Sequence, residues 1–428
     1  MRTVISLHLL LLPILLRAQP RTDAVLAKLL ATNPHPVVQD VIQHPDRYRL
    51  QIIYTQIDRD RTNKPTFTNY HFHVDSTAYF NPASTVKLPL ALLSLEKLNA
   101  LKNSQLTRET AMQFDSAYSG QTKEWADSTA PSGYPSIAHL IRKAMLVSEN
   151  DPYSRMYEFV GQQAINRSLH AKGYIDTRLT HRFVRLTPEQ NRHTNPVRFI
   201  RPDGTTIYAQ PAAYNPDPFD TRRIDTLGIG YYVNDSLTHQ PFDFTGRNKL
   251  PLESLQHILR SVLFPQSVPA KQRFGLTPDD YRFMKQYVSQ FPGETNYPKY
   301  DSAQYYDSYV KYFFMDSLHR KLPAGVRVFN KVGWAYGFLT DASYVADFKH
   351  NIEYMLSATL YVNKDGILND DKYDYASIGT PFLYQLGQTI YQHELARKRK
   401  NAPDLSAFRI DYEKQRPDNR PTVKDVAN

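Results

Sequence analysis

The apolar positions change period several times along the chain, and each change predicts an element. After a mainly apolar run from Val4 to Leu16, "DAVLAKLLATNPHPVVQDVIQ" sets Val25, Leu26, Leu29 and Leu30 on one stripe of a helix. Two β-prone runs follow, "YRLQIIYTQID" and "TNYHFHVDSTAYF", and the polar segment "RDRTNKP" between them predicts a hairpin. Helical periodicity then dominates to Ser148 and beyond. In "YSRMYEFV", Tyr153, Met156, Tyr157 and Val160 repeat at i, i+3, i+4 and i+7. Between Asn195 and Gly246 the texture shifts to prolines, an Asp203-Gly204 turn and "YNPDPFD", which predicts an inserted hairpin and loop excursion at the surface. Leu252, Leu255, Leu259 and Val262 restore the helical period. Three strand-like runs, "VRVFNKVGW", "DASYVADF" and "IEYMLSATLYV", precede a helix over 380–395.

Strands at both ends of the chain with helices between them imply that the ends meet in one sheet. The expected class is α+β: an antiparallel sheet flanked by helices, with an inserted all-helical lobe. From Ala396 to Asn428 the chain is charged and proline-bearing, so a flexible tail is expected there. No internal repeat is visible.

Composition narrows the class. The 428 residues, 41% hydrophobic, suffice for one large or two ordinary domains. Arg2, the apolar run and Leu16-Arg17-Ala18 read as a signal peptide over residues 1–18, so an exported protein, periplasmic or secreted from a bacterium, is expected. The run is too short for a span and carries Pro13, and no later stretch is long enough to cross a bilayer. The absence of cysteine excludes disulfides, a thiol nucleophile and cysteine metal sites. The net charge of +10 is scattered, and "ARKRKN" is the only basic block, so nucleic acid is not an expected partner. His71 and His73 share a strand face, but no third ligand follows at convincing spacing; neither a metal nor another cofactor is expected.

Candidate chemistry centres on "YFNPASTVKLPLALLSLEKL", which holds two Ser-x-x-Lys pairs, Ser84 with Lys87 and Ser94 with Lys97. A serine hydroxyl needs a base within hydrogen-bond reach, and a lysine one helical turn away can serve once desolvation and a neighbouring cation lower its pKa. Ser84 follows "FNPA" and so starts the helix, where free N–H groups favour developing negative charge. Ser94 lies turns inside among leucines, as a packing residue does. Pro89 is expected to kink the segment beyond Lys87.

"PASTVK", "MLVSENDPYSRMYEFVG" and "FNKVGWAYG" stand in the order of the three signatures of the penicillin-recognising serine hydrolases, and the chain resembles their class A β-lactamase-like branch. The resemblance covers roughly residues 37 to 395, a single domain from residue 19 to 395 with the excursion at about 195–246 as an insertion. It implies that Ser84 attacks a carbonyl to form an acyl-enzyme while Lys87 takes its proton, and that Ser148 relays a proton to the departing nitrogen. It also implies that Asn150 binds the substrate amide and Lys87, that Lys331 faces a substrate carboxylate, and that Gly333 lets substrate lie along the strand. The N–H groups of Ser84 and Trp334 would form the oxyanion hole. The implied partner is a small β-lactam or cell-wall peptide, handled by a monomer.

Two departures bear on the activity. The third motif reads Lys-Val-Gly, and Val332 has no hydroxyl to offer a substrate carboxylate. In the ω loop, aligning Pro188 and Asn191 of "LTPEQN" puts Thr187 where the family carries its deacylating glutamate, with Glu189 two residues off. A threonine is no general base at neutral pH. Three readings follow: a β-lactam hydrolase, a D,D-peptidase or esterase on the same scaffold, and a weakly catalytic binder of cell-wall peptide.

Overall fold

The computed structural model describes residues 19–318 and 321–426. The proposed signal segment lies outside the described residues.

The alternating pattern of the hairpin and of the C-terminal third becomes one five-stranded antiparallel sheet. Its strands are β1 (Gln51–Arg59), β2 (Pro65–Phe72), β10 (Val326–Ala335), β11 (Phe338–Asp347) and β12 (Ile352–Tyr361), in the order β10-β11-β12-β1-β2. β1 pairs with β12, Gln51 opposite Thr359, so the two ends of the chain meet in the sheet as expected. Alternation sorts the side chains into two cores. Ile53, Ile57, Phe329, Ala342, Tyr344 and Met355 face the inserted lobe. Ile52, Tyr54, Val328, Val332, Val345 and Leu356 face α1 (Ala24–Ala31), α2 (Pro36–Gln43) and α10 (Thr380–Ala396). β11 and β12 are buried along their whole length, as strands covered on both faces must be.

The lobe between β2 and β10 holds α3 (Lys87–Ala100), α4 (Ile137–Leu146), α5 (Asp151–Val160), α6 (Gln162–Ala171), α7 (Pro188–Arg192), α8 (Leu252–Leu263) and α9 (Pro278–Ser289). It is not all helical. β3 (Ala111–Phe114), β4 (Val197–Ile200) and β5 (Thr206–Gln210) form a small sheet; β6 (Thr226–Leu227) pairs with β9 (Phe242–Asp243). β7 (Gly230–Val233) and β8 (Ser236–Thr238) join β13 (Ile367–Leu368). The insertion thus contributes β4–β9, and its first strand is no mere surface loop: Val197 and Phe199 are buried, paired with β3.

Two expectations fail for local reasons. Pro89 is the third residue of α3, within its first turn, where a missing N–H removes no intrahelical bond, so the motif needs no kink there. The segment after Ala396, expected to be flexible because it is charged, instead packs on the lobe-side core. Leu405 and Phe408 are buried, and the Phe408 ring lies 4.7 Å from that of Tyr344. Arg327 is held between the rings of Phe291 and Tyr412, 4.0 Å from each, and Tyr300 bridges to Val423. A few apolar residues at the right places outweigh the composition of the whole segment.

Candidate active site

Asn81 and Pro82 turn the chain from the sheet into the lobe. The Asn81 side chain accepts the Ala83 N–H at 2.8 Å, and Ala83 takes a positive φ of 43°. A 3₁₀ turn, Ala83–Val86, carries Ser84, and α3 begins directly with Lys87. Ser84 is part-exposed, whereas Lys87 is wholly buried, its Nζ 2.8 Å from Ser84 Oγ.

The second motif enters from the end of α4. Ser148 stands at φ 66°, a left-handed conformation unusual for a residue with a side chain, and this presents both its hydroxyl and its carbonyl to Lys87. Lys87 Nζ is 3.2 Å from Ser148 Oγ and also donates to Ser148 O. Asn150 occupies the N-cap position of α5, yet its side chain makes no capping bond; Oδ1 accepts from Lys87 Nζ at 2.8 Å instead. Forgoing a cap costs a helix about 1 kcal/mol. Between these two, Glu149 turns away into a buried ion pair with Lys143 (3.3 Å) and accepts from the Tyr300 hydroxyl at 2.6 Å.

The third motif lies on β10. Lys331 Nζ donates to Ser148 Oγ at 2.8 Å and to Val332 O at 3.0 Å, so a residue 183 positions away completes the cluster. At Gly333 the strand passes so close to the 3₁₀ turn that an added Cβ would lie 2.6 Å from Pro82 O and 3.1 Å from Ser84 N. Glycine is required here by the protein's own backbone, before any substrate is considered. Trp334 is 54% exposed and stacks on Tyr375, 5.6 Å between ring centres. Val332 faces the opposite core, buried, opposite Asp341 in register.

Electrostatics follow from this geometry. Burial pushes Lys87 well below the usual lysine range and the Lys331 cation pushes further, with Glu149 opposing. Lys331 is lowered to about 7 by burial and by Lys311. Beneath it, Lys311 donates to Asn330 Oδ1 (2.6 Å) and Val288 O (3.0 Å), while Asp341 accepts from Asn330 (2.9 Å), Ser343 (2.7 Å) and the Tyr312 N–H (3.0 Å). Burial raises Asp341 to about 6. The sequence motifs do not include this buried group; its signal was an aspartate set amid a strand of otherwise core-type residues.

Of the two Ser-x-x-Lys pairs, the structure brings one into a polar cluster. Ser94 Oγ donates to Leu90 O at 2.9 Å, and Lys97 Nζ reaches the end carbonyls of α5, Val160 O among them at 3.3 Å. The segment 186–191 is likewise occupied structurally. Thr187 caps α7, accepting the Gln190 N–H at 3.1 Å while Gln190 Oε1 accepts the Thr187 N–H. Asn191 is buried; it accepts the Arg182 N–H at 2.9 Å and donates to Thr187 O at 3.0 Å. Glu189 is exposed, 3.3 Å from His193, whose ring stacks on Tyr118. None of the three is hydrogen-bonded to Ser84, Lys87 or Ser148. His71 and His73 also serve structure: His71 lies 3.1 Å from Asp23, and His73 leaves the strand with positive φ and faces Leu50 O at 3.1 Å. Among the described residues no three metal-binding side chains cluster.

The model of the β-lactamase enzyme family matches residues 38–209, a span that includes the first two motifs. Over that span the chain is similar to the β-lactamase enzyme family. Comparison with curated proteins gives no significant match. Similar solved structures include a β-lactamase from Xanthomonas campestris, at 14% identity and a TM-score of 0.45 over 85% of this chain and 98% of that one. Another, a β-lactamase from Desulfarculus baarsii, shows 15% identity and a TM-score of 0.44 over 86% and 99%. A third, from Burkholderia ambifaria, shows 14% and 0.44 over 82% and 98%. The third motif, at Lys331, lies beyond the matched span, and its place beside Ser148 comes from the tertiary fold alone.

Proposed function

We propose that this chain is an exported acyl-transfer enzyme in which Ser84 forms an acyl-enzyme with a β-lactam or a related amide. The observation that carries the reading is a single buried amine, Lys87 Nζ, 2.8 Å from Ser84 Oγ and 3.2 Å from Ser148 Oγ, with a second lysine, Lys331, on that same Ser148 hydroxyl. Neutral Lys87 takes the Ser84 proton as Oγ attacks the carbonyl carbon. The N–H groups of Ser84 and Trp334 hold the oxyanion, a role worth about 3 to 4 kcal/mol per donor at comparable sites. As the C–N bond breaks, Ser148 passes a proton from Lys87 to the departing nitrogen, with Lys331 beside it compensating the charge. Asn150 and Lys331 orient the substrate's amide and carboxylate. We take residues 1–18 as a cleaved signal and 19–395 as one catalytic domain, acting as a monomer.

A second reading, a D,D-peptidase-like or esterase-like protein with slow hydrolytic turnover, is favoured by Val332 and by the structural employment of Thr187, Glu189 and Asn191. Incubation of the mature protein with a penicillin, followed by intact mass over time, separates the two. A transient adduct with loss of penicillin supports the lactamase; a persistent adduct supports the peptidase-like reading. Ser84→Ala is expected to form none, and absence of adduct and of ester hydrolysis in the unmutated protein would leave only a binding role.

A further inference from the structure

The loop between α6 and α7 sends Phe183 against the catalytic lysine. Its ring lies over Lys87 Nζ, with the ring centre at 5.3 Å. That separation admits no water, about 1.4 Å in radius, between ring face and amine. The ring is fixed from several directions. It stacks on Tyr153 at 4.3 Å, and the Phe183 N–H donates to Ser154 Oγ at 3.2 Å. Its neighbour Arg182 is fully buried, donating to Glu158 Oε1 (3.0 Å), Gln190 O (2.7 Å) and His193 O (3.1 Å). The Tyr153 hydroxyl donates to His181 O at 3.2 Å.

The remaining contacts of Lys87 Nζ are Ser84 Oγ, Ser148 O and Oγ, and Asn150 Oδ1, none of them a carboxylate. Hydrolysis of an ester on Ser84 needs a water oxygen to attack the carbonyl, a base to take its proton, and Oγ to leave and be reprotonated. The base nearest the ester is Lys87, and Phe183 covers it.

We propose that Phe183 is a positioning residue that sets the lifetime of the acyl-enzyme, by filling the space a hydrolytic water needs beside Lys87. The inference rests on the reading that Ser84 becomes acylated. Its ring also adds to the desolvation that lowers the Lys87 pKa, which supplies a second readout.

The test compares the mature protein with Phe183→Ala, Phe183→Leu and Phe183→Gln, each checked for folding by thermal unfolding. Each is reacted with a penicillin while adduct half-life is followed by intact mass and the acylation rate is measured across pH. Phe183→Ala is expected to shorten the half-life at least tenfold and to move the midpoint of the acylation profile to higher pH, since a wetter Lys87 keeps its proton longer. Phe183→Leu, still apolar, stays near the unmutated protein in both. Phe183→Gln, similar in size but polar, follows Ala and carries the test if Ala does not fold. An unchanged half-life and midpoint in Ala and Gln overturns the proposal alone, as does an adduct of the unmutated protein that hydrolyses within seconds. No adduct in any form overturns the Ser84 reading and this proposal with it.

Discussion

Gly333 shows how one missing side chain holds the site together. A Cβ there would meet Pro82 O at 2.6 Å and Thr85 Cγ2 at 3.1 Å, so either β10 or the 3₁₀ turn carrying Ser84 must move. Gly333→Ala is therefore expected to lower the acylation rate more than tenfold, and to cost about 1 to 3 kcal/mol by overpacking. Stopped-flow acylation and thermal unfolding check the two effects; an unaltered rate would mean that the close approach does not position Ser84. Other single residues announce their employment by what they forgo. Asn150 gives up a helix cap to reach Lys87, and Ser148 accepts a left-handed backbone to meet it. Both costs are local, and both are offset only by the cluster they complete.

At the scale of elements, the loop carrying Phe183 is held by a buried hub. Arg182 and Asn191 bind each other and the α7 backbone, and Glu158 on α5 neutralises the arginine at 3.0 Å. Asn191→Ala leaves the buried Arg182 N–H without its acceptor, while the Thr187 carbonyl keeps the backbone N–H of residue 191, so a loss of about 1 to 3 kcal/mol is expected. Because the hub aims Phe183, the same variant should also shorten the adduct half-life. Denaturant unfolding and intact mass check the pair, and a stability loss with unchanged half-life would show that the hub does not control the ring. Much of this was legible beforehand. The strands of the hairpin, the apolar stripes of α5 and α8 and the order of the three motifs follow from local periodicity. "LTPEQN" was less legible: its Thr-Pro-Glu-Gln is a helix-start signature, and the capping box uses Thr187 fully.

For the whole molecule, the C-terminal segment matters beyond its charge. Phe408 sits among Phe264, Phe329 and Tyr344, with ring centres 5.2, 5.6 and 4.7 Å away, on the core face from which Lys331's strand is built. Phe408→Ala is expected to destabilise the protein by about 3 to 5 kcal/mol. Calorimetry checks this; a change under about 1 kcal/mol would mean that the segment is not docked in solution. Tyr300 links this region to the site, since it bridges to Val423 and donates to Glu149 between Ser148 and Asn150.

The sequence by itself determined the elements and the chemistry on offer, because helix and strand periods, caps and turn residues act over a few neighbours. It named Ser84, Lys87, Ser148, Asn150, Lys331 and Gly333 through their order and the resemblance it carries. Only the tertiary structure decided which of two equally spaced lysines is buried among hydroxyls, since burial depends on what packs against α3. Only it brought Lys331 to Ser148 across 183 residues, set Phe183 over the amine and docked the charged C-terminus. Those contacts arise where segments distant in the chain converge, and no local pattern of residues encodes such a meeting.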